Sequence, residues 1–204
     1  MSLCESRDCW EWAGSKYKDF SVKEVKSFLR SGYDCSRNFV FEWSKWVPKK
    51  CNILVWRAEM GRIATTDALI KRNCFTGDPL CSLCEDLEES AVHLFCSCYV
   101  ASNIWHLISQ WCKIGPIYAF SIEDLTSIHV HAGLERSARE ALKGIIIVGC
   151  WCIWSARNDK RFNNNRKNIL DIFQEIKVLG FHWYRNRSKN RGILWSDWCS
   201  FNLS

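Results

Sequence analysis

Three cysteines and one histidine near the middle of the 204-residue chain have the spacing of metal ligands. The pattern is C-x2-C-x8-H-x4-C, and its residues are Cys81, Cys84, His93 and Cys98. Structural Zn²⁺ sites use four thiolate or imidazole donors arranged as a tetrahedron, which two close pairs on either side of a short loop can supply. The sequence therefore predicts one Zn²⁺ ion with a structural role, because four protein ligands leave no coordination position open for a substrate.

The fourth ligand has an alternative in the sequence. Cys96 follows His93 with two residues between them, whereas Cys98 follows it with four. A separation of three to five residues is usual in the second ligand pair, which favours Cys98. Another interpretation is that the set consists of buried free thiols and a core histidine, although the combined spacing is more specific than a lone C-x2-C. A redox role for the C-x2-C pair is weaker still, since no βαβ pattern surrounds it.

The elements that would position these ligands are mainly helices. Apolar residues recur at helical spacing, with capping residues or proline at several of the starts. The predicted helices begin near Ser21, cover 48–60, 65–73 and 99–111, begin again near Ser121, and cover 134–158 and 169–183. Trp10 and Trp12, followed after a polar stretch by Phe20 and Val22, predict a small N-terminal β-hairpin.

The predicted fold class is mainly α, with helices around a CCHC zinc knuckle and a basic helical region after it. Gly115 and Pro116 interrupt the helical pattern between two of the predicted helices. We place the boundary there, which predicts a zinc-binding domain over residues 1–114 and a helical basic C-terminal region over residues 115–204.

The cysteine count and the N-terminal residues bear on the compartment. Thirteen cysteines cannot all pair within one chain, and the first twelve residues include Glu5, Arg7, Asp8 and Glu11 without the apolar core of a signal peptide. These features predict a reducing, intracellular location in the nucleus or cytoplasm. The longest apolar run, residues 145–154, is about half as long as the 20 or so residues that span a bilayer, so no membrane partner is expected.

Further motifs accompany the four ligands over residues 8–112. They are Asp8-x-Trp10-x-Trp12, Phe20-Ser21-Val22-Lys23, Trp46-x-Pro48-Lys49, Trp56, Gly61-Arg62-Ile63 with Thr65, Cys81-x-x-Cys84, His93-Leu94-Phe95-x-x-Cys98 and Ile104-Trp105. In this order they resemble the reverse transcriptase zinc-binding domain of plant LINE-type (non-LTR) retrotransposons. A shorter segment, Trp151-x-x-Trp154-x-x-Arg157-Asn158, is similar to one often found after this domain in such elements.

The resemblance implies the same four zinc ligands, and it puts Cys96 where the family usually has an apolar residue. It also implies an origin in the C-terminal part of a retrotransposon polyprotein, where the domain follows the polymerase and is thought to help bind template RNA or target DNA. The chain contains no Tyr-x-Asp-Asp polymerase motif, no RNase H motif and no acidic spacing typical of a two-metal nuclease. We therefore expect a protein that is not an enzyme and has no small-molecule substrate.

Basic residues are concentrated in one stretch of the chain. Residues 157–191 contain ten basic and three acidic side chains, a net charge of +7, whereas the remainder carries −1 of the total of +6. The loop between the two ligand pairs is acidic, with Glu85, Asp86, Glu88 and Glu89. We expect this loop to repel phosphate and the basic stretch to attract it.

Two groups of basic residues are the candidates for nucleic-acid binding through phosphate contacts and counterion release. They are Lys49, Lys50, Arg57 and Arg62 before the zinc loop, and Arg157, Arg161, Arg166, Lys167, Arg185, Arg187, Lys189 and Arg191 after it. Trp183 or Tyr184 could stack on unpaired bases, although Trp183 continues an apolar stripe and is more typical of a core residue.

Two other functions are compatible with the sequence. A protein-interaction domain would use the same zinc fold to dock the reverse transcriptase domain, and a large exposed apolar patch would favour it. A folded but non-functional relic of a retrotransposon is the third interpretation. The uneven charge distribution favours RNA or DNA as the partner.

Overall fold

The computed structural model of the protein describes Val22 and residues 40–203, most of which lie in one compact unit that begins at Phe41. The elements in this unit are α1 (Lys49–Glu59), α2 (Thr66–Ile70), a π-helical turn (His93–Ser97), α3 (Tyr99–Trp111), α4 (Ile122–His131), α5 (Arg136–Asn163), α6 (Ile169–Arg187) and α7 (Trp195–Cys199). Within the described residues the only β pairing is an isolated antiparallel bridge between Leu80 and Glu88. The mainly helical fold is thus confirmed, whereas the predicted N-terminal hairpin lies outside the described residues apart from Val22, which is helical.

The long helix α5 forms the centre of the unit. Its apolar run, residues 145–154, is buried on nearly every side because α1, α4 and α6 all pack against this helix. A helix that is hydrophobic all round needs such a surrounding to be stable in water. In the part of the chain that the structure describes, no helix is both long and apolar enough to cross a membrane.

Two glycines let tryptophan rings approach the backbone of α5. A Cβ atom on Gly144 would collide with the indole of Trp46, and one on Gly149 would lie 2.7 Å from the ring of Trp105. Trp46 is 3% exposed and donates its indole N–H to the carbonyl of Glu140 at 3.1 Å. These close contacts fix the chain before α1, and the helix α3, against the central helix.

A cluster of aromatic side chains joins α3 to the C-terminal helices. The ring of Trp198 lies 5.2 Å from that of Trp111 and 5.3 Å from that of Tyr184, and it is fully buried. Trp111 donates its indole N–H to the carbonyl of Trp198, and Trp198 donates its own to the carbonyl of Lys177. Helices from both sides of residue 114 share this core, and the domain boundary placed there stays a prediction.

Local sequence signals predicted the start of α4 but not the end of α5. Ser121 caps α4 with a complete capping box, since its hydroxyl accepts from the Asp124 N–H and the Asp124 carboxylate accepts from the Ser121 N–H. The helix α5 continues five residues beyond the predicted end near residue 158 and stops at Asn164, which has a left-handed conformation (φ 51°). The short helix α7 and the π-helical turn were not predicted.

Candidate metal centre

The first two candidate ligands lie in a loop that is closed by backbone hydrogen bonds. The Cys81 N–H donates to the carbonyl of Leu87 at 2.8 Å, and the Glu89 N–H donates to the carbonyl of Pro79 at 2.9 Å. Within the loop, Glu85 takes a positive φ of 59° and donates its N–H to the carbonyl of Cys81. The resulting tight turn directs the side chains of Cys81 and Cys84 toward one side.

The other two candidate ligands are separated by the π-helical turn. The Cys98 N–H donates to the carbonyl of His93 at 2.7 Å, which is the i to i+5 hydrogen bond that defines a π turn. In an α-helix two residues five apart would differ by about 140° around the axis and would face different ways. The wider turn brings His93 and Cys98 to the same side, facing the loop that carries the first pair.

The four donor atoms form a compact group. The Sγ atoms of Cys81, Cys84 and Cys98 and a ring nitrogen of His93 all lie within 4.8 Å of one another. The Sγ atoms of Cys81 and Cys98 are 4.0 Å apart, and Cys84 Sγ is 3.3 Å from His93 Nε2. Zinc–sulfur bonds of about 2.3 Å and zinc–nitrogen bonds of about 2.0 Å place neighbouring tetrahedral donors roughly 3.5 to 3.8 Å apart. The donor set and its dimensions therefore fit a tetrahedral Zn²⁺ ion.

The protonation of the group suits a metal. Burial lowers the pKa of His93, which keeps its imidazole neutral and able to coordinate. Its Nδ1 atom lies 3.3 Å from the Ser97 hydroxyl, which leaves Nε2 facing the cysteines. The hydrogen bond between the thiols of Cys81 and Cys98 lowers the pKa of Cys98 and raises that of Cys81, so Cys98 is the more readily deprotonated of the two.

Cys96 lies apart from the donor group. It belongs to the same π-helical turn, but burial raises the pKa of its thiol to about 12, and it lies close enough to Cys150 in α5 for the two thiols to interact electrostatically. This placement in the core agrees with the apolar residue that the resemblance implied at this position. All ten cysteines within the described residues are free thiols.

A buried ion pair connects the zinc loop to the end of α5. Arg157 is 1% exposed and Glu89 is fully buried, and the guanidinium donates to both carboxylate oxygens of Glu89, at 2.9 and 2.5 Å. Thr66 donates its N–H and its hydroxyl to the same carboxylate. Burial by itself would raise the pKa of Glu89, but the hydrogen bond and charge of Arg157 outweigh burial and hold this pKa below its usual range.

The next turn of α5 adds weaker contacts to the same loop. Arg161 donates to the hydroxyls of Thr66 and Ser82, and Ser82 lies between the two cysteines of the first pair. The guanidinium of Arg161 also lies over the ring of Phe75, at 4.7 Å from its centre. Lys160 forms an ion pair with Glu85 at 3.5 Å. These contacts explain why α5 is longer than predicted, because its last turns continue along the loop.

Several of the predicted nucleic-acid contacts are thereby corrected. Arg157 was predicted to contact phosphate and is instead buried against Glu89, where a phosphate cannot reach it. Arg161 is half-buried against the zinc loop, and Lys167 bridges Asp159 and Glu175 at 3.2 and 2.9 Å. Arg157 and Lys167 are thus paired with internal acids, whereas Arg161 donates to two internal hydroxyl groups. Because all three side chains already have partners within the protein, they are less suited to phosphate binding.

The remaining candidates are exposed. They are Lys49, Lys50, Arg57, Arg62, Arg166, Arg185, Arg187, Lys189 and Arg191. Among the residues that the structure describes, none of these nine forms a salt bridge with an acid. Their phosphate-binding role stays a prediction, but their charges face water.

Basic residues from before the zinc loop and basic residues from after it come close at one corner of the unit. Trp46, just before α1, packs edge-on against Tyr184 in α6 with ring centres 5.2 Å apart. Burial raises the pKa of Cys51 in the first turn of α1 to about 12, and the positive charges of Lys50 and Arg187 both act against this rise. Lys50 in the first turn of α1 and Arg187 in the last turn of α6 are therefore both near Cys51. We call Lys49, Lys50, Arg185 and Arg187 the basic corner.

The aromatic residues near the basic corner differ from those predicted. Tyr184 is 3% exposed and belongs to the core, so it cannot stack on a base, and Trp183 is half-buried. Trp56 on α1 is 41% exposed, and the ammonium of Lys50 lies over the ring of Trp151 at 4.7 Å. Helical periodicity identifies apolar positions but does not show which of them stay exposed to solvent in the folded protein. It could not, therefore, identify these two tryptophans.

The fold and the donor group define a helical unit with a candidate structural zinc site. Residues 20–105 match the family described as zinc-binding in reverse transcriptase. This segment is similar to the zinc-binding domain of reverse transcriptases, as the resemblance indicated, and the match is to this domain and not to a catalytic polymerase domain. Neither the comparison with curated proteins nor the comparison with solved structures gives a match.

Proposed function

We propose that this protein is a non-catalytic nucleic-acid-binding module in which a structural Zn²⁺ ion stabilises the fold and exposed basic residues contact phosphate. Cys81, Cys84, His93 and Cys98 would hold the ion. The observation that carries the proposal is the basic corner, where two exposed cations that are distant in the sequence, Lys50 and Arg187, lie near the same buried thiol and have exposed basic neighbours in Lys49 and Arg185. We further infer an origin in the C-terminal part of a LINE-type retrotransposon polyprotein, which the order of the motifs supports.

The position of the zinc loop explains how the ion would act without touching nucleic acid. Three acidic residues of the loop, Glu85, Asp86 and Glu88, are exposed, and they would repel phosphate. When bound, Zn²⁺ would cross-link the loop to the start of α3 and so keep the loop in the form that pairs with Arg157. Phosphate contact is then left to the exposed basic residues elsewhere on the unit.

The basic corner has features that suit a flexible single strand. Its lysines lie in the first turn of α1, where no side chain caps the helix and the backbone dipole also favours anions. Trp56 lies nearly two turns further along the same helix with an exposed indole, and an aromatic ring near cations allows unpaired bases to stack. We therefore propose single-stranded RNA or DNA as the partner.

The test is the salt dependence of binding to a single-stranded oligonucleotide. The full chain is compared with a variant in which Lys49, Lys50, Arg185 and Arg187 are all replaced by Gln. Each lost phosphate contact should lower the slope of log K against log salt by about 0.7, so the variant should lose up to about 3 of the slope.

A matched control neutralises exposed basic residues outside the corner, namely Arg72, Lys113, Arg136 and Arg139. The control should bind nearly as tightly as the unaltered chain. Equal slopes for the corner variant and the control would contradict the proposal.

A second candidate function is protein docking, which one observation favours. Ile53, Trp56 and Met60 have the spacing of one face of α1 and are 40%, 41% and 45% exposed. Such a stripe suits a protein partner, and the reverse transcriptase domain is the one that the family implies. A variant with Ile53→Lys and Met60→Lys would abolish docking but leave oligonucleotide binding in place. A chain with neither activity would agree with a folded relic.

A further inference from the structure

A polar cavity of about 340 Å³ lies at the C-terminal end of the described chain. Its lining residues are Asn190, Gly192, Ile193, Asp197, Asn202 and Leu203. The cavity lies between the segment that follows α6 and the end of α7, outside both the zinc loop and the basic corner as defined above. Its volume is within the range of small-molecule sites, which is about 300 to 1,000 Å³.

The walls of the cavity are held in place by the local backbone. The Asn202 N–H donates to the carbonyl of Asp197 at 2.8 Å, and the Asn190 N–H donates to the Ser188 hydroxyl at 3.0 Å. Ile193 and Leu203 are 9% and 4% exposed and are anchored in the core. The cavity is thus formed by ordered turns with two buried apolar residues among its walls.

The polar groups of the cavity distinguish between parts of a nucleotide. Two amide side chains, Asn190 and Asn202, offer both donors and acceptors, while Asp197 offers only acceptors. Within the described residues, no side-chain or backbone donor is hydrogen-bonded to the Asp197 carboxylate. A negative charge inside the cavity disfavours phosphate, but it favours a neutral group that presents N–H donors.

Basic residues lie next to the cavity residues in the sequence. Lys189 and Arg191 flank Asn190 directly, Arg187 is three residues before Asn190, and all three are exposed. A chemical group that carries phosphate on one side and N–H donors on the other would match this arrangement. Nucleotides of a single strand have this character, since their bases can turn away from the backbone.

We propose that this cavity binds one unpaired nucleobase, with guanine preferred, while Arg187, Lys189 and Arg191 contact the adjoining phosphates. The inference rests on the proposed nucleic-acid binding and adds a base preference to it. Guanine is preferred because its Watson–Crick edge has two adjacent N–H donors for one carboxylate and a carbonyl oxygen that accepts from an amide. Uracil has a single N–H donor on this edge, flanked by two acceptors.

Gly192 provides a way to close the cavity without disturbing the fold. A Cβ atom at this position would meet no atom within 4 Å, and its φ is not in the left-handed region. The variant Gly192→Leu should therefore fold normally and fill the cavity. Gly115 has the same free space and is also exposed, so Gly115→Leu is a matched control for an added surface leucine.

The experiment measures the affinity of the full chain for two oligonucleotides by fluorescence anisotropy. One is oligouridine, and the other has the same length with guanine at central positions. A good bidentate contact contributes about 1–3 kcal/mol of discrimination, so guanine should improve binding by roughly 5- to 150-fold. Asp197→Asn and Gly192→Leu should both abolish this preference, while Gly115→Leu should retain it.

Three outcomes separate this inference from the function on which it rests. Loss of the guanine preference in both cavity variants, with unchanged oligouridine binding, supports the inference. Equal binding of the two oligonucleotides by the unaltered chain, or a preference that survives in both variants, overturns the cavity assignment and leaves salt-dependent binding intact. Absence of binding to either oligonucleotide overturns the proposed function and this inference together.

Discussion

Arg157 and Arg187 belong to the same basic stretch of the chain and have opposite environments. Arg157 is buried, donates to both oxygens of Glu89 and lies over the ring of Trp154 at 4.9 Å. Arg187 is exposed at the end of α6, and both Arg187 and Lys50 of α1 lie near Cys51. The first arginine connects the zinc loop to the central helix, and the second leaves its charge available to a partner. A net charge of +7 therefore describes two regions with different roles.

The environment of Arg157 also explains the second motif in the sequence, Trp151-x-x-Trp154-x-x-Arg157-Asn158. Trp151 lies under Lys50, Trp154 lies under Arg157, and Arg157 also donates to the side chain of Asn158. Spacings of three and four residues place these side chains along one side of α5. The motif therefore connects the central helix both to the zinc loop and to α1.

The largest expected effect concerns the zinc loop and its fourth ligand. Cys98→Ser should lose most of the zinc of the purified protein and much of its stability, because structural zinc contributes several kcal/mol or more to folding. Cys96→Ser is the control, since its thiol lies outside the donor group, and it should retain about one zinc per chain. Metal analysis after dialysis measures both. If the Cys96 variant lost zinc and the Cys98 variant kept it, the ligand set would be wrong.

The second prediction tests the contrast between the buried and the exposed arginine. Arg157→Met leaves the Glu89 carboxylate buried without its counter-charge, so the free energy of unfolding should fall by about 3–5 kcal/mol. Arg187→Met, at an exposed position, should change it by no more than about 0.5 kcal/mol. Chemical denaturation of both variants gives the values.

A double variant separates the ion pair from simple loss of packing. Glu89→Gln combined with Arg157→Met removes both charges and keeps an acceptor for the Thr66 N–H. It should recover most of the stability that Arg157→Met loses, because the cost arises from the unpaired charge. A double variant no more stable than Arg157→Met would show that the arginine acts through its shape.

The third prediction concerns the loss of stability at acidic pH. The pKa of Glu89 is lower in the folded protein than the value of about 4.3 in an unfolded chain. Its stabilising contribution is therefore complete above about pH 4.3 and is lost as the pH falls through the lowered folded pKa. Unfolding free energies at pH 6 and pH 3 should differ more for the unaltered chain than for the Glu89→Gln, Arg157→Met variant. If the difference in unfolding free energy between pH 6 and pH 3 were equal in the two proteins, Glu89 would not be ionised in the buried pair.

The smallest effect should come from the surface contact in the same region. The side chains of Lys160 and Glu85 are 23% and 55% exposed, and their charged atoms are 3.5 Å apart. Solvent screens such pairs, so Lys160→Gln should lower the unfolding free energy by less than about 1 kcal/mol. Thermal unfolding of the Lys160→Gln and Arg157→Met variants, measured side by side, compares their losses of stability. Comparable losses in the two variants would contradict the expected order.

Much of the local structure could be predicted because its causes are local. The spacing of Val100, Ile104 and Ile108 gave the helix α3, and Ser121 with Asp124 gave the start of α4. The four candidate ligands followed from spacing in the same way. The π-helical turn could not be predicted, because it depends on His93 and Cys98 having to face the same centre and not on any propensity of the residues between them.

The environments of charged and aromatic side chains were much less predictable. Arg157, Tyr184 and Glu89 are buried, whereas Trp56 is exposed, and their residue types alone do not indicate this. Each depends on which distant element lies opposite, as Trp46 lies opposite Tyr184 and Thr66 lies beside Glu89. The exposure of these side chains is therefore determined by tertiary packing and not by residue type.

By itself the sequence determined most of the helices, the candidate zinc ligands and the family resemblance of residues 20–105, because periodicity, capping and ligand spacing are relations between residues close in the chain. Only the tertiary structure decided which cations remain free. The pairing of Arg157 with Glu89 and the meeting of Lys50 with Arg187 join residues far apart in sequence, and they depend on how α5 and α6 pack against the loops and helices that precede them.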